Sequence, residues 1–185
     1  MKKGLLKLLF ILLGFLLGCV ASMIVLWYGV MARVGELSKI YGFEKTPIAA
    51  ADVADPEIYK ILEQADKAIQ AGNPQQAIDL ILPNIDGWSS PIDKATGYQL
   101  LAVAEFNLGF PQQAVPYAKK MVEYDHGPFA LLLLAQAYDN SGDQKNALAT
   151  YQQILILNQP DSRVDYNYVR SRAAALSQSL GTPKP

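Results

Sequence analysis

A short segment of the chain recurs as a near-copy of itself. Residues 72–78 read Gly-Asn-Pro-Gln-Gln-Ala-Ile and residues 109–115 read Gly-Phe-Pro-Gln-Gln-Ala-Val, so five of seven positions match after 37 residues. A looser third copy, Gly-Asp-Gln-Lys-Asn-Ala-Leu, begins 33 residues further on, at Gly142. A period of about 34 residues is typical of stacked supersecondary units and not of one globular core. Such stacks usually bind other molecules and rarely catalyse reactions, so the repeat favours a binding function.

Prolines mark the positions where the helices of these units are expected to begin. Proline suits the first helical position because the N–H that it lacks would have no partner there. Asp, Asn or Ser just before it can accept the unpaired amide hydrogens of the first turn. With the glycines as helix ends, the pattern predicts six helices at about 56–71, 74–86, 91–108, 111–125, 128–141 and 143–158, and a seventh from about Ser162 to Leu180.

Alanines recur at fixed distances from the repeated glycines. They lie in the first helices at Ala65, Ala102 and Ala135, and at the start of the second helices at Ala77, Ala114 and Ala147. Alanine at a helix crossing lets two backbones approach closely, while larger residues fill the space between hairpins.

With these positions the sequence resembles the tetratricopeptide repeat (TPR) family. The third copy carries the closest match, in Leu134-Ala-Gln-Ala-Tyr138, Gly142-Asp143, Ala147-Leu148, Tyr151 and Pro160. The resemblance covers residues 57–160 and implies an all-α fold, an α-solenoid of about three TPR-like helical hairpins. The last helix would cap the open end of the stack with Val169, Ala173, Leu176 and Leu180 on one face.

Three features depart from this family pattern. Pro116 lies beyond the first turn of the fourth helix, where it should remove a hydrogen bond and kink the helix. Pro83 is a candidate for an early end of the second helix. Trp88 falls in a long linker, where it either covers the core of the first hairpin or is exposed for binding; burial is favoured because large apolar side chains gain most from it.

The N-terminal segment is predicted to be a membrane anchor. Lys2, Lys3 and Lys7 precede an uncharged run of 25 residues, 8–32. A helix of that length spans about 37 Å, enough to cross a hydrocarbon core of about 30 Å. Cleaved signal peptides have shorter apolar regions of about 7–15 residues. The lysines favour a cytoplasmic N-terminus and a repeat domain on the extracytoplasmic side, periplasmic or extracellular.

Two further readings of this segment stay open. Leu16-Leu-Gly-Cys19 resembles the lipobox of bacterial lipoproteins, in which Cys19 would be lipidated, although the apolar residues that follow it fit a spanning helix better. Gly14, Gly18 and Ser22 lie four residues apart on one helix face, where small residues allow two membrane helices to pack closely; glycine is also simply common in such helices.

Four regions follow from these predictions. Residues 1–34 form the anchor, 35–55 a membrane-proximal linker, 56–181 the repeat domain with its capping helix, and 182–185 a tail. Residues 1–45 hold six Lys/Arg and two Glu, whereas 46–185 hold ten Lys/Arg and fifteen Asp/Glu, a balance of −5. Nucleic-acid binders usually show clustered Lys/Arg, so an acidic repeat domain argues against nucleic acid as a partner.

The residues needed for catalysis or metal binding are sparse. His126 is the single histidine and lies in a predicted turn, and Cys19 is the single cysteine. The sequence has no GxSxG motif and no glycine-rich phosphate loop, and one His with scattered carboxylates does not make a metal site. We therefore expect no enzymatic activity, no cofactor and no small-molecule substrate.

In the TPR family the first helix of each hairpin lines a concave groove. Projected onto this chain, the groove would carry Tyr59, Leu62, Asp66, Ile69, Gln99, Val103, Phe106, Asn107, Phe129, Leu132, Gln136 and Asp139, although the apolar members could equally be core. This face has no Lys or Arg of its own, so the family's best-known mode, a clamp for a C-terminal carboxylate, is not expected. Aromatic rings and amides suit a protein segment held by apolar contacts and a few hydrogen bonds.

The sequence thus predicts a membrane-tethered scaffold or assembly factor with membrane-associated protein partners. Two alternatives remain: a lipid-anchored envelope protein with the same repeats, and a structural accessory subunit of a membrane complex. In the second alternative the groove is filled by the chain itself or by a fixed neighbour.

Overall fold

The described part of the chain is built from α-helices. The computed structural model describes residues 55–157 and 159–181. These residues form seven α-helices and one 3₁₀ turn, with no strand among them. In chain order they are α1 Pro56–Gln70, α2 Pro74–Ile81, the 3₁₀ turn Ile85–Gly87, α3 Pro91–Asn107, α4 Pro111–Tyr124, α5 Pro128–Asn140, α6 Gln144–Leu157 and α7 Tyr166–Ser179. The predicted all-α class is confirmed for this part of the chain.

The recurring glycines close the first helix of each hairpin in the same way. Gly72, Gly109 and Gly142 have φ angles of 79°, 82° and 87°. In the first turn, the Gly72 N–H donates to Ile69 O and the Asn73 N–H donates to Ala68 O. The other two turns repeat both bonds, a pattern known as the Schellman motif, which satisfies carbonyls at a helix end and needs a left-handed residue. The near-copy in the sequence is therefore a recurring helix-to-helix turn.

Proline and polar caps fix the helix starts. Proline occupies the first helical position of α1 to α5. The Asp55 side chain accepts a hydrogen bond from the Glu57 N–H, Ser90 from the Asp93 N–H, and Asp165 from the amides of the first turn of α7. These bonds satisfy donors that the helices themselves leave unpaired. The expected cap from an Asn side chain is wrong for Asn73, which makes no such bond at the start of α2.

The hairpins pack on one another, and their first helices take part in every junction between them. Each helix packs against the next along the chain, and the first helices also pack on one another, α1 on α3 and α3 on α5. The crossings depend on six fully buried alanines: Ala65, Ala77, Ala102, Ala114, Ala135 and Ala147. Without a larger side chain at these positions, the backbones approach closely and the larger residues fill the remaining space.

The junction between the first two hairpins is held by Trp88. Helix α2 ends at Ile81, before Pro83, so the early end that this proline suggested is confirmed. The chain then makes the 3₁₀ turn and brings the Trp88 ring, 7% exposed, against α3. A Cβ atom on Gly97 would lie only 2.5 Å from this ring, so α3 needs a glycine there. Trp88 covers the core, as the sequence favoured.

Helix α7 differs in detail from the sequence prediction, whereas α4 continues through Pro116 as a single helix. Helix α7 begins at Tyr166, later than the predicted start near Ser162, because Asp165 caps it and the preceding residues form a turn in which the Val164 N–H donates to Asp161 O. Its cap face is confirmed for Val169, Ala173 and Leu176, which are buried. Leu180 does not join them, since it lies beyond the helix and is 39% exposed.

The predictions for the N-terminus fall outside this part of the chain. The anchor with Gly14, Gly18, Cys19 and Ser22, and the linker up to residue 54, lie outside the described residues. Among residues 55–157 and 159–181, no helix is both long and apolar enough to span a bilayer.

Candidate protein-binding surface

The groove predicted from the sequence corresponds to one row of side chains along α1, α3 and α5. We call these twelve residues the inner row: Tyr59, Leu62, Asp66, Ile69, Gln99, Val103, Phe106, Asn107, Phe129, Leu132, Gln136 and Asp139. The structure divides them by exposure. Four are buried and have little surface for a partner: Leu62, Val103, Leu132 and Gln136. Asn107 is exposed, and the other seven are partly exposed. Side chains of the same row thus serve both the core and the surface, because the first helices also pack on one another.

In the first hairpin, the inner row presents a ring and a carboxylate. Tyr59 and Asp66 are both partly exposed on α1. The Gln70 Nε2 atom donates to Asp66 Oδ2 at 2.6 Å. Burial raises the pKa of Asp66, and the hydrogen bond from Gln70 opposes this by a smaller amount. The carboxylate is therefore partly desolvated, and its hydrogen-bond partner here is a neutral amide.

The second hairpin contains a buried acid that the sequence analysis did not single out. Glu105 is 6% exposed, and its Oε2 atom accepts no hydrogen bond from the described residues. Burial raises its pKa, and the pKa of Tyr117 is raised first by burial and then by the negative charge of Glu105. The corresponding residues of the other hairpins, four positions before the turn glycine, are Ala68 and Tyr138. A glutamate at the position where the other two hairpins carry Ala and Tyr is the sequence signal that could have identified Glu105.

In the third hairpin, the inner row is covered by residues that follow the repeats. The guanidinium of Arg163 lies over the Phe129 ring, 4.5 Å from its centroid. Arg172 of α7 holds Asp139 of α5 with two hydrogen bonds, Nε to Oδ2 at 2.5 Å and Nη2 to Oδ1 at 2.7 Å. The inner row has no Lys or Arg of its own, but the fold supplies two arginines from more distant positions. Sequence spacing alone could not show this, because these contacts join residues 33 and 34 positions apart.

The segment between α6 and α7 is fixed by its own hydrogen bonds. Asp161 accepts hydrogen bonds from the Arg163 backbone and from two nitrogens of its guanidinium. The Tyr166 hydroxyl donates to Gln159 O. Val164 is buried in the cluster that joins α5, α6 and α7. Arg163 is thereby positioned over Phe129 by the surrounding segment.

The described residues hold no group of three or more His, Cys, Asp or Glu arranged to bind a metal ion. His126 is exposed in the turn between α4 and α5. The neighbouring Asp125 accepts a hydrogen bond from the Gly127 N–H and so orders this turn.

Comparisons of the chain with protein-family models, curated proteins and solved structures gave no match.

Proposed function

We propose that this protein is a membrane-tethered scaffold of TPR-like repeats that binds another protein through the inner row. The observation that carries the proposal is the combination of three hairpins with identical turns and an inner row whose partly exposed side chains differ from one hairpin to the next. The shared parts account for the architecture. The differing side chains are available for recognition, as expected of a repeat protein that presents a surface to a partner.

The chemistry of the inner row suits a protein segment. Tyr59 offers an aromatic ring and Asp66 a carboxylate, while Gln99 and Asn107 offer amide donors and acceptors. Phe106 adds a second partly exposed ring. Aromatic residues supply large apolar contact area, and amides pair with the backbone of a bound segment. We propose binding as the activity, with no catalytic step.

The tether proposal comes from the sequence of residues 8–32. An uncharged run of 25 residues after three lysines favours a single-pass anchor with the repeats on the extracytoplasmic side. Anchoring would confine the repeat domain to the membrane surface and raise its effective concentration near a membrane-associated partner.

A paired substitution tests the inner row. The full-length protein would be cross-linked in intact membranes and its captured partners identified, first for the unchanged chain and then for Phe106→Ser. Phe110→Ser is the matched control, because Phe110 lies in the adjacent turn and is 49% exposed. We expect Phe106→Ser to reduce capture about tenfold or more, as removal of a central aromatic contact does, while Phe110→Ser keeps it. Equal capture by both variants, each with unchanged helix content, would refute the inner-row assignment.

The covered third hairpin favours a second candidate, a structural accessory subunit whose groove is filled by its own chain. Arg163 and Arg172 already contact inner-row residues there. A structural subunit should not be extractable without dissociation of its complex, whereas a scaffold should leave the remaining subunits assembled. Mild extraction followed by native gel analysis separates the two.

A further inference from the structure

The third hairpin shows which chemical group the inner row accepts. Two of its inner-row side chains contact arginines of the C-terminal segment, one arginine over the Phe129 ring and one on the Asp139 carboxylate. A guanidinium is planar, stacks on aromatic faces and forms paired hydrogen bonds with carboxylates. An aromatic ring and a carboxylate on the same row are therefore a matched pair of arginine acceptors in this fold.

The first hairpin offers the same two groups. Tyr59 lies thirteen residues before Gly72, as Phe129 does before Gly142, so both rings occupy the same register. The carboxylate is shifted by one helical turn, since Asp66 lies six residues before its glycine and Asp139 three. Both side chains of the first hairpin are partly exposed.

These acceptors have no arginine from the described part of the chain. None of the ion pairs among the described residues involves Asp66. Lys67, the adjacent cation on α1, is bound to Glu63 at 2.8 Å. Among the described residues, Asp66 accepts a hydrogen bond from the neutral Gln70 amide and forms no ion pair with a cation, on a domain whose residues 46–185 carry a net charge of −5.

We propose that Tyr59 and Asp66 bind arginine side chains of a partner protein segment, in the manner in which the third hairpin holds Arg163 and Arg172. The inference rests on the proposed scaffold function and names the chemistry of its partner. It commits to arginine over lysine, because a lysine ammonium neither stacks as a plane nor forms a fork with a carboxylate.

The helix geometry sets the spacing of the partner's arginines. Tyr59 and Asp66 are seven residues apart, which corresponds to about 10.5 Å along a helix at about 1.5 Å per residue. A segment in the polyproline II conformation has three residues per turn and advances about 3.1 Å per residue, so arginines three positions apart lie on one face, about 9.3 Å from each other, and would reach both acceptors. A segment with the spacing Arg-x-x-Arg is the expected ligand.

The test uses two fluorescent peptides of equal length and charge, one with Arg-Ala-Ala-Arg and one with Lys-Ala-Ala-Lys, titrated against the full-length protein by fluorescence anisotropy. We expect the arginine peptide to bind at least about fivefold more tightly. Asp66→Asn should weaken its binding about tenfold, since a charge-assisted hydrogen bond is lost. Tyr59→Leu should also weaken it, while Tyr59→Phe, which keeps the ring, should not.

Asp79→Asn is the matched control, because Asp79 is exposed on α2 and is bonded to Gln75 as Asp66 is to Gln70. Equal loss in Asp66→Asn and Asp79→Asn, equal affinity for the two peptides, or no binding of the arginine peptide would each overturn the inference. If Phe106→Ser abolishes partner capture while Asp66→Asn changes neither capture nor peptide binding, the arginine inference fails and the scaffold proposal stands. If Phe106→Ser leaves partner capture unchanged and Asp66→Asn leaves peptide binding unchanged, both the scaffold proposal and the arginine inference are refuted.

Discussion

The first and third hairpins are built on the same plan but differ in what covers their inner rows. Both close their first helix with a left-handed glycine, Gly72 or Gly142, and both pack through fully buried alanines. In the third hairpin, Arg163 and Arg172 cover Phe129 and Asp139. In the first, Tyr59 and Asp66 lack such a cover from the described residues and remain partly exposed. The turn thus fixes the architecture, whereas the inner row determines whether a hairpin is closed by its own chain or open to a partner.

The largest expected effect on stability distinguishes the inner-row carboxylates of the third and first hairpins, Asp139 and Asp66. Asp139→Ala should lower the free energy of unfolding by about 2 kcal/mol, because Arg172 loses two hydrogen bonds. The estimate is below that for a fully buried pair, since the Arg172 side chain is 39% exposed. Asp66→Ala should cost less than about 0.5 kcal/mol, as for an ordinary surface substitution. Urea unfolding followed by circular dichroism measures both.

A double-mutant cycle with Arg172→Ala checks the cause of this difference. If the ion pair is responsible, adding Arg172→Ala to Asp139→Ala should cost much less than Arg172→Ala alone. Equal costs for Asp139→Ala and Asp66→Ala would remove the contrast between the hairpins.

The next largest effect concerns the turn glycines, and it should be equal in the first and third hairpins. Gly72→Ala and Gly142→Ala should each cost about 1–2 kcal/mol, because a Cβ atom strains the left-handed conformation. Steric contact is not the cause, since an added Cβ would meet nothing within 4 Å at either position. Gly87→Ala is the control, as that position is equally open and its φ lies outside the left-handed range. A cost for Gly87→Ala as large as that for Gly72→Ala would show that backbone strain is not responsible.

A substitution in the second hairpin should have a smaller effect on the free energy of unfolding, and it should raise this free energy instead of lowering it. Glu105→Gln should raise the free energy of unfolding by about 1 kcal/mol at pH 7, because the buried carboxylate no longer has to be ionised without a partner. The raised pKa means that the folded protein binds this proton more tightly than the unfolded chain. Stability should therefore fall as the pH rises from the ordinary value of 4.5 through the raised pKa.

Urea unfolding between pH 4 and pH 8 would show this fall in the unchanged protein and a flatter profile in Glu105→Gln (a range of about four units around the ordinary carboxyl pKa values). Glu123→Gln serves as the control, because Glu123 is exposed and bound to Lys120. A profile for Glu105→Gln that follows the unchanged protein would assign the pH dependence to other groups.

Local features made much of the fold predictable from the sequence. Proline at the first helical position, glycine after the last, and alanine at the crossings each act over a few residues, and the helices begin and end close to the predicted positions. The late start of α7 was missed because Asp165, and not Ser162, provides the cap. The contacts of Arg163 and Arg172 were missed for a different reason: they join distant residues, which no period in the sequence relates.

The smallest expected effect concerns Arg163, which covers the Phe129 ring of the third hairpin. Arg163→Ala should cost about 0.5–1 kcal/mol, since it removes one cation–π contact and a partly exposed ion pair. The effect on amide hydrogen exchange should be local. Amide hydrogens of residues 159–165 should exchange faster, because this segment loses the bonds between Asp161 and the Arg163 guanidinium. Exchange of the amide hydrogens of α1 should remain unchanged. Arg170→Ala, which removes an exposed arginine bound only within α7 to Asn167, should leave both regions unchanged. If Arg163→Ala leaves exchange in 159–165 as it was, Arg163 does not hold that segment, and the third hairpin is closed by Val164 and the contacts of α7 alone.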